Sequence, residues 1–359
     1  MSIALRRREA PATTSPDASD TRHFPARLAS GPAILGRRAG ANHLRLRLAG
    51  EDVAADFLSD ESGQGRLILP APFGDAPNAM DLLASLIEAA FQHDPACCTL
   101  MLPGLAGKSA IASLSPRHDM VDGIPAAIIR RSDFYQLPLL WRSAQAHATL
   151  PLIRSDLGPQ DRLPPLRAPK PRGVMYQRWL PHLGMTLSLR PIDRRRDLEL
   201  FHGWMNQPRV AFFWELAQSR ADLDRYLAAQ EADPHIFGVI GSFDDEPVGY
   251  FEFYWAKEDR LGPFYDAEDY DRGWHGLIGN ARHLGRIKTL AWFRSLTHYL
   301  FLDDPRTQRI VGEPRASHHK MLSYCADVAY EKVKEFDFPH KRAALVCCER
   351  ERFFRQVIL

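Results

Sequence analysis

Polar and apolar residues alternate from His43 to Leu48 (HLRLRL) as they do in a strand with one face on a core, and Gly65 to Leu69 predicts a second strand. Met80 to Phe91 (MDLLASLIEAAF) changes to helical spacing with Asp81 near its start, and Cys98 to Leu102 returns to a short strand. Strands alternating with a helix predict an α/β unit. Arg131 to Ala144 (RSDFYQLPLLWRSA) then gathers an aromatic pair and a tryptophan around Pro138, which predicts an apolar cap over that unit. After Pro151 the pattern lapses. Pro159, Pro164, Pro165, Pro169 and Pro171 are interleaved with Arg and Lys, and such a run is a semi-extended linker.

The second half is patterned more sharply. Met185 to Arg190 alternates as a strand, and Asp197 to Met205 puts Leu198, Phe201 and Trp204 on one helical face. Ala221 to Ala229 predicts another helix behind a Ser219 cap. Ile236 to Phe243 and Val248 to Tyr254 read as antiparallel strands joined at Asp244-Asp245-Glu246-Pro247. From Asp271 to Met321 come a short strand carrying His275, a loop with Gly285, an amphipathic helix ending near Phe301, and a strand ending at Glu313-Pro314. A helix over Lys320 to Val328 and strands near Lys332 to Phe336 and Ala343 to Cys348 close the chain. The expected division is a disordered tail at 1–22, an N-terminal α/β lobe at 23–150, a Pro-rich linker at 151–180 and a second domain at 181–359.

Composition changes this picture little. With 45% hydrophobic and 25% charged residues the 359-residue chain has a globular composition, and its net charge of +2 implies no nucleic-acid footprint. No apolar run is long enough to span a bilayer, and the N-terminal MSIALRRREAPATTSPDASDTRHF lacks the apolar segment of a secretory signal, which places the expectation in the cytoplasm. Five cysteines fall as Cys97-Cys98, Cys347-Cys348 and Cys325, which is neither a zinc spacing nor a disulfide framework, so they read as reduced and mostly buried.

The candidate chemistry lies in the second half. Gly285 permits a tight turn, and the helix that follows starts with unpaired N–H groups beside Arg282, Arg286 and Lys288, a setting suited to a pyrophosphate. An ordinary strand-to-helix turn with solvated basic residues is the plainer reading. His275 faces opposite to Trp274 on the preceding strand, where it could hold a nucleophile's hydroxyl or take its proton. His318 and His319 have no carboxylate or cysteine at ligand spacing, so no metal is expected. Glu252 and Tyr254 in YFEFYW, and Trp214 and Glu215 in FFWE, combine aromatic walls with an acid, as a pocket for an aliphatic amine or hydroxylamine would.

RVAFFWE (209–215), VGYFEFYWAKEDRLGPFYDAEDYDRGWH (248–275), HYLFLDDPRTQRIVGEPRA (298–316) and KEFDFPHKRAALVCCERERFF (334–354) resemble the GNAT acyltransferases, in the siderophore-biosynthesis branch that acylates hydroxylysine and N-hydroxylated diamines. RRSDFYQLPLLW (130–141) resembles the N-terminal lobe of the same branch. The resemblance implies an α/β (α+β) GNAT fold with a central mixed sheet, preceded by a smaller, degenerate GNAT-like lobe. It implies acyl-CoA, acetyl or succinyl, held by Arg282, His283, Leu284, Gly285, Arg286, Ile287 and Lys288. His275 would be the catalytic or orienting residue, with Trp214, Glu215, Glu252, Tyr254, Arg315 and Ser317 toward the amine. The product would be a hydroxamate, made without a metal. The enzyme would work between an amine monooxygenase and a siderophore synthetase, and whether it forms a homodimer is left open. One departure stands out: where the family carries an acid and an asparagine after GEPRA, this chain has Ser317 and His318. Two alternatives therefore stay open, an aminoglycoside-like N-acetyltransferase of ordinary amines and a CoA- or partner-binding module that has lost catalysis.

Overall fold

Among the described residues, two eight-stranded sheets are built on one plan. The computed structural model describes residues 23–27, 33–38, 43–48, 51–69, 79–107, 111, 114–142, 151, 153–154 and 163–359; the tail expected over 1–22 lies outside them. The first sheet comprises β1 (His23–Arg27), β2 (Ala33–Arg38), β3 (His43–Leu48), β4 (Glu51–Ser59), β5 (Gln64–Ile68), β6 (Thr99–Pro103), β7 (His118–Val121) and β8 (Ile124–Arg130). Its strands run in the order 1-2-3-4-5-6-8-7, antiparallel except where β5 and β6 pair in parallel through α1 (Ala79–His93). The second sheet takes β9 (Tyr176–Leu180), β10 (Met185–Pro191), β11 (Ile236–Phe243), β12 (Glu246–Trp255), β13 (Arg272–Ile278), β14 (Arg309–Gly312), β15 (Glu331–Asp337) and β16 (Arg342–Glu349). Its order is 9-10-11-12-13-14-16-15, again with one parallel pair, β13 with β14.

Helices α2 (Arg194–Met205), α3 (Pro208–Trp214) and α4 (Arg220–Ala232) lie between β10 and β11. Asp193 caps α2 by accepting from the Arg195 N–H at 3.0 Å, and Ser219 caps α4 by accepting from the Asp222 N–H at 3.2 Å. Their apolar faces, with Leu198, Phe201, Leu223 and Leu227 buried, pack on Ile240, Tyr250 and Leu277 of the sheet. The β11–β12 hairpin turns at Asp244-Asp245, both with positive φ (47° and 68°), as a two-residue hairpin turn requires. Pro247 stands inside β12 at a register shift opposite Ser242, not in the turn, because a bulge tolerates a residue without an N–H. The crossover helix α5 (Arg286–Asp303) covers the other face, and α6 (His319–Asp327) and α7 (Arg350–Gln356) follow β14 and β16.

The RRSDFYQLPLLW segment is a seam joining the two sheets as well as a cover for the first. Trp141 is buried, stacks on Tyr135 at 5.1 Å and meets the His298 ring of α5 edge-on at 5.0 Å. His298 donates from Nε2 to the Tyr135 carbonyl at 2.7 Å, and Arg142 donates to the Leu302 and Asp303 carbonyls and the Asp303 carboxylate, capping the C-terminal end of α5. The Pro-rich segment ends earlier than expected, since Tyr176–Leu180 pairs with β10 as the edge strand of the second sheet. Its described part is docked: with few N–H groups to offer, it is held by side chains such as Arg167, which grips Glu258 at 2.6 and 2.8 Å and lies 4.1 Å over Trp255. Among the described residues no helix is long and apolar enough to cross a membrane.

Candidate active site

Strands β13 and β14 pair at Arg272–Ile310 and Gly273–Val311 and part beyond them. The opening of that fork is where the charged residues stand. His275 lies two residues past the last pair on β13, and Glu313 two residues past it on β14. His275 Nε2 meets Glu313 Oε1 at 3.0 Å and Nδ1 meets Glu252 Oε2 of β12 at 3.1 Å, so the ring bridges two carboxylates. The Glu252 and Glu313 side chains are 5% and 1% exposed, while the imidazole is 20% exposed. Each acid has further donors. Glu252 accepts from the Tyr226 hydroxyl, Gln230 Nε2 at 2.6 Å and the Tyr250 hydroxyl at 3.0 Å; Glu313 accepts from the Tyr254 hydroxyl at 3.2 Å and Arg260 at 3.1 Å. Lys341 adds a cation 3.7 Å from Glu313.

Burial alone would favour neutral groups, but the charges reinforce one another. The two carboxylates outweigh desolvation and raise the His275 imidazole to about 10. In turn His275, with Tyr226 and Tyr250, holds Glu252 below the usual carboxylate range, and His275 with Lys341 and Arg260 holds Glu313 well below it. The result is an imidazolium with both N–H groups committed, flanked by the Tyr254 ring at 4.8 Å and the Trp214 ring at 6.4 Å. Gly273 makes this closeness feasible, because a Cβ there would lie 2.1 Å from Tyr254 Cζ.

Trp214 ends α3, whose start is tied to the end of β13 by Gln207 and Arg209, both donating to the Gly279 carbonyl at 3.0 and 2.9 Å. Beyond Trp214 an open cleft of about 660 Å³ is lined by Phe212, Phe213, Glu215, Arg315, Ser317 and His318, with Ala211. Arg315 bonds Glu215 across it at 2.6 Å, and Phe213 stacks on His318 at 4.9 Å. Glu215, Arg315 and Ser317 thus share this cleft, and Trp214, the neighbour of Glu215 in the chain, turns its ring edge-on to His275 at 6.4 Å. Glu252 and Tyr254, expected to face the amine, are not in the cleft: both are buried behind His275, where alternation along β12 points them at the cage.

At the other candidate, Gly285 has φ 128° and precedes the first turn of the 18-residue α5, whose leading N–H groups have no partner within the helix. Leu284 and Ile287 are 49% and 64% exposed there. The basic residues already have partners: Arg282 with Glu246, Arg286 with Asp327 at 2.7 Å, and Lys288 with His283 Nδ1 at 3.1 Å. His283 is buried and donates from Nε2 to Glu246 at 3.0 Å, so it buttresses the loop from behind and does not face a ligand.

Residues 193–338 match the model of the acetyltransferase (GNAT) domain. Over 234 residues the chain is 42% identical to an N(6)-hydroxylysine O-acetyltransferase of Escherichia coli, an alignment covering 65% of this chain and 74% of that one. The chain belongs to the GNAT acyltransferases of siderophore biosynthesis. It is also 45% identical, over 200 residues and 55% of its length, to an N(5)-hydroxyornithine:cis-anhydromevalonyl coenzyme A-N(5)-transacylase of Beauveria bassiana. To a hydroxyornithine transacylase of Ajellomyces capsulatus it is 45% identical over 197 residues and 54% of its length. It spans 44% and 45% of those two fungal proteins. GNAT acyltransferases bind acyl-CoA, and the positive-φ glycine, the free first-turn N–H groups and the exposed Leu284 and Ile287 of this one fit a pyrophosphate with an apolar arm.

Sequence reasoning missed Glu313, the second wall of the cage, although it stands at the strand end where the fork opens. It also missed Tyr226, Gln230 and Lys341, which lie far from His275 in the chain and carry no local signal.

Proposed function

We propose that this GNAT enzyme transfers an acyl group, acetyl or succinyl, from acyl-CoA to the hydroxylated nitrogen of an N-hydroxydiamine or N-hydroxylysine, forming a hydroxamate. The observation that carries this reading is the cage. An imidazolium whose two N–H groups are held by Glu252 and Glu313 is a poor general base, so the acceptor must attack without one. An ordinary alkylamine is protonated near neutrality and would need that base. An N-alkylhydroxylamine is much less basic and reaches the site largely neutral, ready to attack.

The nitrogen lone pair adds to the thioester carbonyl carbon, the C–N bond forms, and the C–S bond then breaks. The thiolate leaves and the proton from nitrogen passes to it or to solvent. With both N–H groups committed, His275 acts through its charge, which offsets that developing on the carbonyl oxygen, while main-chain groups of β13 at the fork polarise the carbonyl. Glu252 and Glu313 hold the ring and keep it charged. Reaction classes on either side follow from the chemistry: an amine monooxygenase supplies the acceptor, and a synthetase condenses the hydroxamate.

The test is product analysis with purified protein, acetyl- or succinyl-CoA, and paired acceptors, cadaverine against N-hydroxycadaverine and lysine against N6-hydroxylysine. Only the hydroxylated partner of each pair should be consumed, giving a product that binds iron(III) as a hydroxamate. Equal turnover of the plain amines, or an O-acyl ester in place of the hydroxamate, would overturn the reading.

A further inference from the structure

The cleft beyond Trp214 holds two opposite charges, with Ser317 and His318 as its other polar lining residues. Glu215 and Arg315 are one hundred residues apart in sequence and face each other at 2.6 Å, with side chains 59% and 31% exposed. Neither is loosely placed. Arg315 sits in a segment pinned to β16: residue 315 bridges Ala343, and the Ala316 N–H donates to the Arg342 carbonyl at 3.0 Å. Glu215 ends α3 with φ 55°, a left-handed position that glycine would occupy with less strain, so the chain keeps a carboxylate there at a conformational cost. Each lies close to the reacting centre along its own strand or helix. Glu215 follows Trp214, whose ring stands edge-on to His275 at 6.4 Å, and Arg315 is two residues beyond Glu313.

We propose that Glu215 and Arg315 form a clamp for the α-ammonium and α-carboxylate of an N-hydroxylated amino acid, so that this enzyme selects an amino-acid acceptor over the corresponding diamine. This rests on the hydroxylamine-acylating reading above and names its substrate class. An α-amino acid end is a zwitterion. Inserted between the two side chains, it replaces one ion pair by two and leaves no charge unpartnered. A diamine end brings only an ammonium: it can satisfy Glu215 but separates Arg315 from its counter-ion and offers nothing in return. Phe213 lines the cleft and the Trp214 ring stands edge-on to His275, apolar surfaces that suit the methylenes connecting the two ends of the substrate.

The experiment compares N6-hydroxylysine with N-hydroxycadaverine, its decarboxylated counterpart, using acetyl-CoA throughout so that no carboxylate comes from the acyl group. The parent enzyme should favour hydroxylysine in kcat/KM by about 30-fold, the size expected of one charge-assisted contact. In Arg315→Met that preference should collapse toward unity, chiefly through KM for hydroxylysine. Glu215→Gln should weaken both acceptors, because both carry the ammonium, and leave the preference in place. If loss of the ion pair merely loosened the cleft, the two variants would behave alike; that result, or a parent enzyme that does not favour hydroxylysine, refutes the clamp. Calorimetric titration with L-lysine and cadaverine reads the clamp without catalysis. Tighter lysine binding lost in Arg315→Met, with no turnover of any hydroxylamine, would keep the clamp and reject the acylation reading. Turnover of both acceptors with no lysine preference would do the reverse.

Discussion

The two sheets share strand order, a single parallel pair and a crossover helix, yet among the described residues only the second carries the caged imidazole. Their registers can be superposed on a glycine in each fifth strand: Gly65 pairs with Leu100 in the first sheet as Gly273 pairs with Val311 in the second. Two residues further along, Leu67 matches His275. Leu67 pairs with Phe57 where His275 pairs with Glu252, and Leu102 falls where Glu313 does. Thus Glu252, His275 and Glu313 are answered by Phe57, Leu67 and Leu102, all at most 2% exposed. The scaffold tolerates either solution, an apolar plug or a caged imidazolium. What decides is the support around it. In the first sheet residues 39–42 separate the second and third strands, whereas in the second sheet the same connection holds α2 to α4, and α4 brings Tyr226 and Gln230 to Glu252. A buried charge needs such partners, and a leucine needs none.

The largest expected effect comes from making the second sheet imitate the first. His275→Leu leaves two buried carboxylates across the fork without the cation between them. Hydroxamate formation should fall at least about 1,000-fold, and stability measured by urea denaturation should fall by about 3–5 kcal/mol. Adding Glu313→Leu should restore part of that stability without restoring activity, because it removes one of the two like charges left facing each other across the fork while Glu252 keeps its three donors. A double variant no more stable than the single one would mean that the cage is not what the histidine supports.

Titration offers a second contrast, since the apolar triple of the first sheet has nothing to ionise. The folded imidazole titrates near 10 and the unfolded one near its ordinary 6.5, so the folded state holds an extra proton between those values. Its contribution to stability is full below 6.5 and is lost as pH rises toward 10. The depressed carboxylates act in the opposite sense, their contribution being lost as pH falls through and below the ordinary carboxylate range. Melting temperatures of the parent protein and His275→Leu should therefore differ most around pH 5 to 6.5 and converge by several degrees toward pH 10. A difference that stays constant from pH 6 to 10 would contradict a charged His275.

Much of this was legible before the structure, though unevenly. Period-two runs, helical spacing and capping residues marked β3, β10, β11, α2 and α4 within a few residues of their observed limits, because these signals are local to each segment of chain. The edge strand Tyr176–Leu180 was hidden by the prolines ahead of it, and Glu51–Ser59 and Ile124–Arg130 carry weaker alternation. His275 could be named from its strand and the motifs around it. Its partners could not, since strand register and the placement of α4 bring Glu252, Glu313 and Tyr226 together from positions up to 87 residues apart. Glu252 was assigned to the substrate for the same reason: alternation gives the face of a strand, not what already occupies it.

The smallest effects should come from the paired glycines, which test whether the two forks are equivalent in packing but not in chemistry. A Cβ on Gly65 would lie 2.9 Å from Cys97 Sγ and from Phe57 Cε2 and 3.0 Å from Leu100 Cδ2, all side-chain atoms in an apolar core that can give slightly. Gly65→Ala should cost about 1–3 kcal/mol of stability, as overpacking does, and leave hydroxamate formation per folded molecule unchanged. On Gly273 the same Cβ would lie 2.1 Å from Tyr254 Cζ, and Tyr254 cannot withdraw without losing the hydroxyl contact that helps to hold Glu313. Gly273→Ala should therefore lower kcat by about 10-fold or more in addition to a larger loss of stability, because a sub-ångström shift of Glu313 is transmitted directly to the His275 ring. The informative quantity is the ratio of the two kcat losses at matched stability. Were Gly65→Ala to reduce kcat as much as Gly273→Ala, the first sheet would be coupled to catalysis through the seam at Trp141 and Arg142, and the view of it as an apolar counterpart without a chemical role would fail.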